Sequence, residues 1–286
     1  MNNQTSKQSE VQTPDASLSQ KVCVIRPVHI ATVNWVGLGT LYKREVQRFM
    51  KIAMQSLAAP VITSLLLLMV FSVVIGERAS FAGDFDFVTF LVPGLVMMNV
   101  LQNAFANTSS SLVVSKVQGN VVDLLVPPLG PGELLFGLAA AGITRGLLVG
   151  TVTALILVVF GGGTMPPQPL IALGFLILGA CSMAFAGIIA GIWANKFDEL
   201  AAITNFVVQP LTFLSGTFYS VDRLPAPFNV IAGFNPVFYA IDGFRYGMVG
   251  ISDRPLIAGL SCLLAVNVVL VIFCYKVLHS GYRLKS

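Results

Sequence analysis

Few residues in this chain could do chemistry, and those that could lie far apart. The two histidines, His29 and His279, sit near opposite ends. The four cysteines (Cys23, Cys181, Cys262 and Cys274) form no CxxC pair. Three of them fall in apolar runs, which suits packing better than metal or disulfide chemistry. Asp198 and Glu199 share a short polar turn, Asp222 and Asp242 follow later, and no paired carboxylates lie within an apolar run. There is no GxxxxGKS/T loop, so the usual backbone cradle for ATP phosphates is missing. A proton-coupled carrier ordinarily needs a buried carboxylate or histidine relay, and none is evident. An enzyme reading therefore lacks a nucleophile, an acid–base pair and a metal cluster. The chain is expected to bind no cofactor or metal itself, and uphill transport would draw its energy from another chain.

The remaining polar residues stand out because of their surroundings. Asn99, Gln102, Asn103, Asn107 and Ser110 recur at helical spacing in one apolar run, and Asn205, Gln209, Thr212 and Gly216 do so in another. Polar side chains in a membrane span must face protein or water. Asn99, Asn103, Asn107, Asn205 and Gln209 are therefore candidates for lining a pathway, with hydrogen bonding between helices as the rival reading. Arg145 lies inside a third run, within snorkelling distance of an interface. It is either functional or a topology anchor. Gly142, Gly146 and Gly150, with Gly187 and Gly191, have the small-residue spacing that permits close helix contact, within the subunit rather than across a dimer seam.

The elements that position these residues follow from composition. Of 286 residues, 55% are hydrophobic and only 10% charged, against about 25% charged in a soluble domain. The bilayer must be the main solvent. The net charge of +4 gives nucleic-acid binding little support. A crossing helix needs about 20 apolar residues, and the runs predict spans over 57–76, 88–112, 139–160, 170–193, 200–220 and 256–277. Gly161 to Pro169 is too rich in glycine and proline to continue a helix and separates the third and fourth spans. The proline-broken stretch between Leu224 and Ile241 reads as short re-entrant helices. Residues 1–34 begin polar and without a secretory pattern, and are expected to be a disordered cytosolic tail. Lys and Arg gather before the first span, at Lys116, Lys196 and Lys276, and after the last span. Arg78, Arg223, Arg245 and Arg254 lie on the other side. The bias predicts cytosolic termini.

Two segments suggest mechanical roles. Trp35 to Ala53 has the pattern of a helix lying along the cytosolic surface, with Tyr42, Val46, Phe49 and Ala53 on one face and Lys43, Arg44, Gln47, Arg48 and Lys51 on the other. It is a topology anchor, a partner contact, or both. After the second span, Lys116 to Gly132 reads as a short helix ended by prolines. Its apolar residues Val121, Val122, Leu124 and Leu125 favour docking into a soluble partner over a bare loop.

The segment Leu214-Ser215-Gly216-Thr217-Phe218-Tyr219, then Leu224-Pro225, Phe234-Asn235-Pro236 and Phe244-Arg245-Tyr246-Gly247, resembles the closing motif of ABC-2-type transport permeases, the membrane subunits of ATP-binding-cassette exporters. Within that family Asn235 to Gly247 is most similar to the bacterial branch of YadH-like permeases and nodulation lipo-oligosaccharide exporters. Val237 departs slightly, since the family more often has a larger apolar residue there. The resemblance covers residues 35–280. It implies an all-α integral membrane fold of six spans, with an N-terminal amphipathic interface helix, a cytosolic coupling helix and re-entrant helices before the last span. It implies a dimer of permeases over two separate ATPase subunits, which would hold the ATP and Mg. Lys116, Val117, Val121, Val122, Leu124 and Leu125 would couple to the ATPase, with Lys43, Arg44, Arg48 and Lys51 on the interface helix. Leu224, Pro225, Asn235, Pro236 and Arg245 would form the outer gate, with Arg245 at headgroup level. The function so implied is outward transport of an amphipathic, lipid-linked or glycan-type substrate or a drug. The alternative is a passive channel or ion-coupled carrier working without an ATPase.

Overall fold

The computed structural model describes residues 33–75, 87–120, 128–161, 166–223, 225 and 228–282. Val121, Val122, Leu124, Leu125 and Leu224, and almost all of the expected tail, lie outside the described residues.

Among the described residues every regular element is helical. Helix α1 spans Trp35–Met50, α2 Ala53–Ile75, α3 Phe87–Val117, α4 Pro131–Gly161 and α5 Pro169–Trp193. A segmented helix follows: α6 over Phe197–Ile203, a π-helical stretch over Thr204–Val208, and α7 over Gln209–Phe213. Then come a 3-10 turn at Val221–Arg223, α8 over Phe228–Gly233, α9 over Pro236–Val249 and α10 over Leu256–Ser280.

Local chemistry explains several of these boundaries. Pro131, Pro169 and Pro236 each open a helix at the position where a missing N–H does no harm. The Asn34 side chain caps α1 by accepting the Gly37 N–H at 2.9 Å. Glu133, in the first turn of α4, accepts the backbone N–H of Asn34 and that of Gly130. One carboxylate thus pins the start of α1 to the start of α4. Gly250 ends α9 with φ +85°, a conformation costly for other residues.

Five helices are long and apolar enough to cross a membrane: Met54–Val74, Phe87–Val117, Pro131–Phe160, Pro169–Trp193 and Leu256–Ser280. The remaining expected span, 200–220, is helical only over Phe197–Phe213. Its π-helical stretch closes with the Gln209 N–H donating to the Thr204 carbonyl. Pro210, which has no N–H to donate, follows directly, so the wide turn sits where the regular ladder must fail.

Helix α3 is the centre of the packing and buries most of its length. Helices α4, α5 and α9 pack along it. The glycine spacing seats α4 and α5 on α3. A Cβ on Gly146 would lie 2.8 Å from the Val100 carbonyl oxygen, and one on Gly187 would lie 2.2 Å from Thr108 Oγ1. The small-residue seams are therefore used within the subunit. Helices α2 and α10 bury little and turn apolar faces outward, with Met69, Val73 and Val269 among the exposed side chains.

Candidate functional site

At one end of the bundle α1 crosses α3 and α4. Leu41, Glu45 and Phe49 are the buried residues of α1. The face turned inward is thus rotated from the expected Tyr42, Val46, Phe49 face, because a carboxylate lies at its centre. Glu45 is 2% exposed. It accepts Arg44 Nη2 at 3.1 Å, Arg48 Nε at 3.0 Å and the Ser111 hydroxyl at 2.7 Å. With that pairing it can be buried at tolerable cost. Arg48 also reaches α3, donating to the Asn107 carbonyl at 2.8 Å, to Asn107 Oδ1 at 3.1 Å and to Ser110 Oγ at 3.3 Å. The Tyr42 hydroxyl meets Thr144 Oγ1 of α4 at 2.9 Å. Lys43, Arg44 and Lys51 stay exposed, but Arg48 is a bolt rather than a surface charge.

Beside this junction a cleft of about 300 Å³ lies between α1 and the last turns of α3, lined by Arg44, Arg48, Lys51, Ser115, Gln118 and Asn120. On the other flank of α1, an apolar groove of about 440 Å³ is lined by Trp35, Leu38, Tyr42, Phe136, Ile143 and Phe185. The Lys116 ammonium turns back into the fold and donates to the carbonyls of Ile192 and Ala194, the latter at 3.1 Å. A cation on the C-terminal carbonyls of α5 is favoured by the helix dipole. Val117 stays about half exposed.

The polar stripe of α3 is buried and largely paired. Asn99 Nδ2 donates to Ser64 Oγ of α2 at 2.7 Å and to Thr153 Oγ1 of α4 at 3.3 Å. Asn103 donates to the Asn99 carbonyl at 3.0 Å, and Gln102 reaches Thr212 Oγ1 at 3.2 Å. The bonds of Asn99 and Gln102 tie helices together in the subunit, while that of Asn103 stays within α3. Asn205 and Gln209 differ: both are exposed, next to Phe206 at 81%.

The opposite end holds the motif around Arg245. Arg245 is 1% exposed and enclosed by protein. It lies over the Phe90 ring, 3.9 Å from the centroid, and Nη2 donates to the Gly216 carbonyl at 2.5 Å. Gly216 holds φ +69°, which a side chain would resist, so the turn that aims this carbonyl needs glycine. Asn235 caps α9 by accepting the Val237 N–H, and its amide donates to the Leu211 carbonyl at 2.8 Å and to Ser215 Oγ at 2.7 Å. One turn before Arg245, Asp242 accepts the N–H groups of Asp253 and Arg254 and the Ser252 hydroxyl. Burial pushes its carboxyl above the usual carboxylate range, while the Asp253 N–H and the Arg245 charge pull the other way. Asp253 accepts Ser220 Oγ and the Val221 N–H. The motif is a lattice that fastens the 214–223 turn, α9 and the 251–255 loop together. Pro225 is exposed and Pro236 starts α9.

Glu45 and Asp253 carry much of this geometry, and sequence reasoning passed over both. The signal for Glu45 was a lone acid among five basic or amide residues between Lys43 and Lys51. Among the described residues, no group of three or more His, Cys, Asp or Glu is placed to hold a metal.

Residues 37–249 match the family model described as ABC-2 type transporter. The chain is 37% identical over 252 residues to the inner membrane transport permease YadH of Escherichia coli K12, covering 88% of this chain and 98% of that protein. It is 25% identical over 235 residues to nodulation protein J of Rhizobium leguminosarum bv. viciae, covering 81% and 89%. Similarity to nodulation protein J of Sinorhizobium fredii is 23% over 223 residues, covering 78% and 82%. The helices that bury α3 lie within the matched region, as do Arg245, Gly216 and Asn235, and the chain belongs to the ABC-2 type transporter family of membrane transport permeases.

Proposed function

We propose that this chain is the membrane-spanning subunit of an ATP-binding-cassette exporter in a bacterial inner membrane. Two copies would sit over two separate ATPase chains that bind ATP and Mg. The observation that carries the reading is the family match across 37–249 together with 88% coverage by a relative named as an inner membrane transport permease. In this reading the membrane holds six spans, with Phe197–Phe213 as the additional crossing. At about 1.5 Å per residue that helix is about 25 Å long, close to the hydrocarbon thickness of about 30 Å. An even count puts both termini on one side, the cytosolic side by the Lys and Arg bias. Helices α8 and α9 are then the re-entrant pair near the outer surface.

The basic cleft between α1 and the end of α3 opens where residues 121–127 begin, and it suits an acidic face of the ATPase. Lys116, Val117, Val121, Val122, Leu124 and Leu125 form the coupling segment in this reading, with Lys43, Arg44 and Lys51 flanking it. The cargo is an amphipathic, lipid-linked or glycan-type molecule or a drug, moved outward. Cargo identity lies in site details rather than in the fold.

The test is reconstitution. Proteoliposomes holding this chain with its neighbouring ATPase should show ATP-dependent export, and mild detergent should yield a complex of both chains. Export by the chain alone, without ATP, would instead establish a channel or ion-coupled carrier.

A further inference from the structure

Two buried donors near the junction of α1, α3 and α4, Arg145 Nε and Asn107 Nδ2, have no acceptor in the fold. Arg145 stands about three turns past Glu133 on α4. Among the described residues it makes no hydrogen bond and no ion pair, and its Nε is buried without a partner. The charge it feels is that of Arg48, another cation. Asn107, 1% exposed on α3, uses its oxygens on Arg48 while its own Nδ2 is buried and unpartnered. The glycine seam fixes the register. Gly142 faces Thr108 and Ala104, and Gly146 faces Val100 and Ala104, so Arg145 is level with Ala104, about one turn along α3 from Asn107. Tyr42, bonded to Thr144, brings α1 against the same turn of α4.

Buried donors and buried charges are costly unless they are paired. Here the one buried carboxylate, Glu45, accepts Arg44, Arg48 and Ser111, and none of its bonds goes to Arg145. A topology anchor would need only an exposed cation, and neither a buried Nε nor an orphaned amide on the helix it packs against.

We propose that Arg145, Arg48 and Asn107 form a binding site for a phosphate-type oxyanion at the junction of α1, α3 and α4. A tetrahedral phosphate offers several acceptor oxygens, and guanidinium forks match its geometry better than any other side chain. The oxyanion comes either from the head group of a phosphate-bearing amphiphile in the leaflet or from free phosphate. The biological use of the site rests on the exporter reading, but binding to the isolated chain does not.

The experiment uses the full chain, without ATPase, in nanodiscs of digalactosyldiacylglycerol, a bilayer lipid that carries no phosphate. Thermal unfolding is followed as phosphatidylglycerol is introduced into the disc or inorganic phosphate is added outside, with sodium chloride matched for ionic strength. The wild type should gain stability from at least one probe. A response to phosphatidylglycerol alone assigns a lipid-borne head group, and a response to inorganic phosphate as well assigns a free oxyanion. Arg145→Gln should weaken binding by about tenfold or more, as expected for a lost charge-assisted pair. Asn107→Asp covers the case in which Arg145→Gln fails to fold. Its carboxylate would occupy the guanidiniums, so it should unfold at a higher temperature than wild type without probe and respond to neither probe. Lys276→Gln, on the exposed end of α10, should respond as wild type does. A wild type deaf to both probes, or an Asn107→Asp protein that responds like wild type, overturns the proposal. Either result leaves ATP-dependent export standing, because no ATPase takes part.

Discussion

Arg245 shows how much one buried cation can organise. Its guanidinium has a ring beneath it and a carbonyl before it, while its Nε is buried without a partner. A desolvated cation–π contact contributes about 2 kcal/mol, and leaving a buried carbonyl unpaired costs about 1–3 kcal/mol. Arg245→Met should therefore destabilise the protein by about 3 kcal/mol or more, measured by thermal unfolding in lipid nanodiscs. Phe90→Leu should lose only the ring contact. A double-mutant cycle should give a coupling of about 2 kcal/mol, and additive effects would show that the stacking contributes nothing. Asn99 poses the opposite test. Its amide joins α2 and α4, and membrane hydrogen bonds of this kind average about 0.6 kcal/mol. Asn99→Leu should cost about that much and leave export rates unchanged. A drop in export without a drop in stability would instead place Asn99 against cargo.

At the scale of elements, the contact of α3 with α4 and α5 depends on missing side chains. A Cβ at Gly187 would come within 2.5 Å of the Phe105 carbonyl oxygen, and backbone cannot step aside. Gly187→Ala should cost about 1–3 kcal/mol through overpacking. In the same helix, Gly174 has nothing within 4 Å of the added atom. Gly174→Ala should be neutral or gain up to about 1 kcal/mol of helix propensity. Equal melting temperatures for the two variants would dismiss the seam. This pair also marks what the sequence could reveal about the elements. The five long spans, the seam and the existence of a helix at Trp35–Met50 were legible, because apolar length, glycine spacing and amphipathic period are local properties. The pairing of Lys116 with the α5 carbonyls was not legible, since it joins residues far apart in the chain. Arg48 was misjudged for the same reason: helical period put it on the polar face, and only the position of Asn107 turns it inward. The short helix at Phe197–Phe213 was half legible. Its apolar composition was plain, but the wide turn before Pro210 follows from backbone geometry that hydropathy does not register.

On the scale of the whole molecule, the outward-facing surfaces are of two kinds. Those of α2 and α10 are apolar and suit lipid. The Phe197–Phe213 helix exposes Asn205 and Gln209 alongside Phe206 and Val207. An amide facing hydrocarbon would leave its donors and acceptors unmet at a cost of several kcal/mol. In the proposed dimer, that face meets either the second permease or the aqueous route between the two copies. The contrast gives a direct measurement. In a variant with the four native cysteines replaced, Asn205→Cys in native membranes should form a disulfide-linked dimer on mild oxidation or react with a water-soluble maleimide. Val73→Cys, 74% exposed in the single chain, should do neither, because lipid covers it. Cross-linking would assign the helix to the dimer seam, and labelling without cross-linking to the aqueous route. If Asn205→Cys proved as inert as Val73→Cys, the helix would face lipid, and the six-span dimer built on it would have to be abandoned.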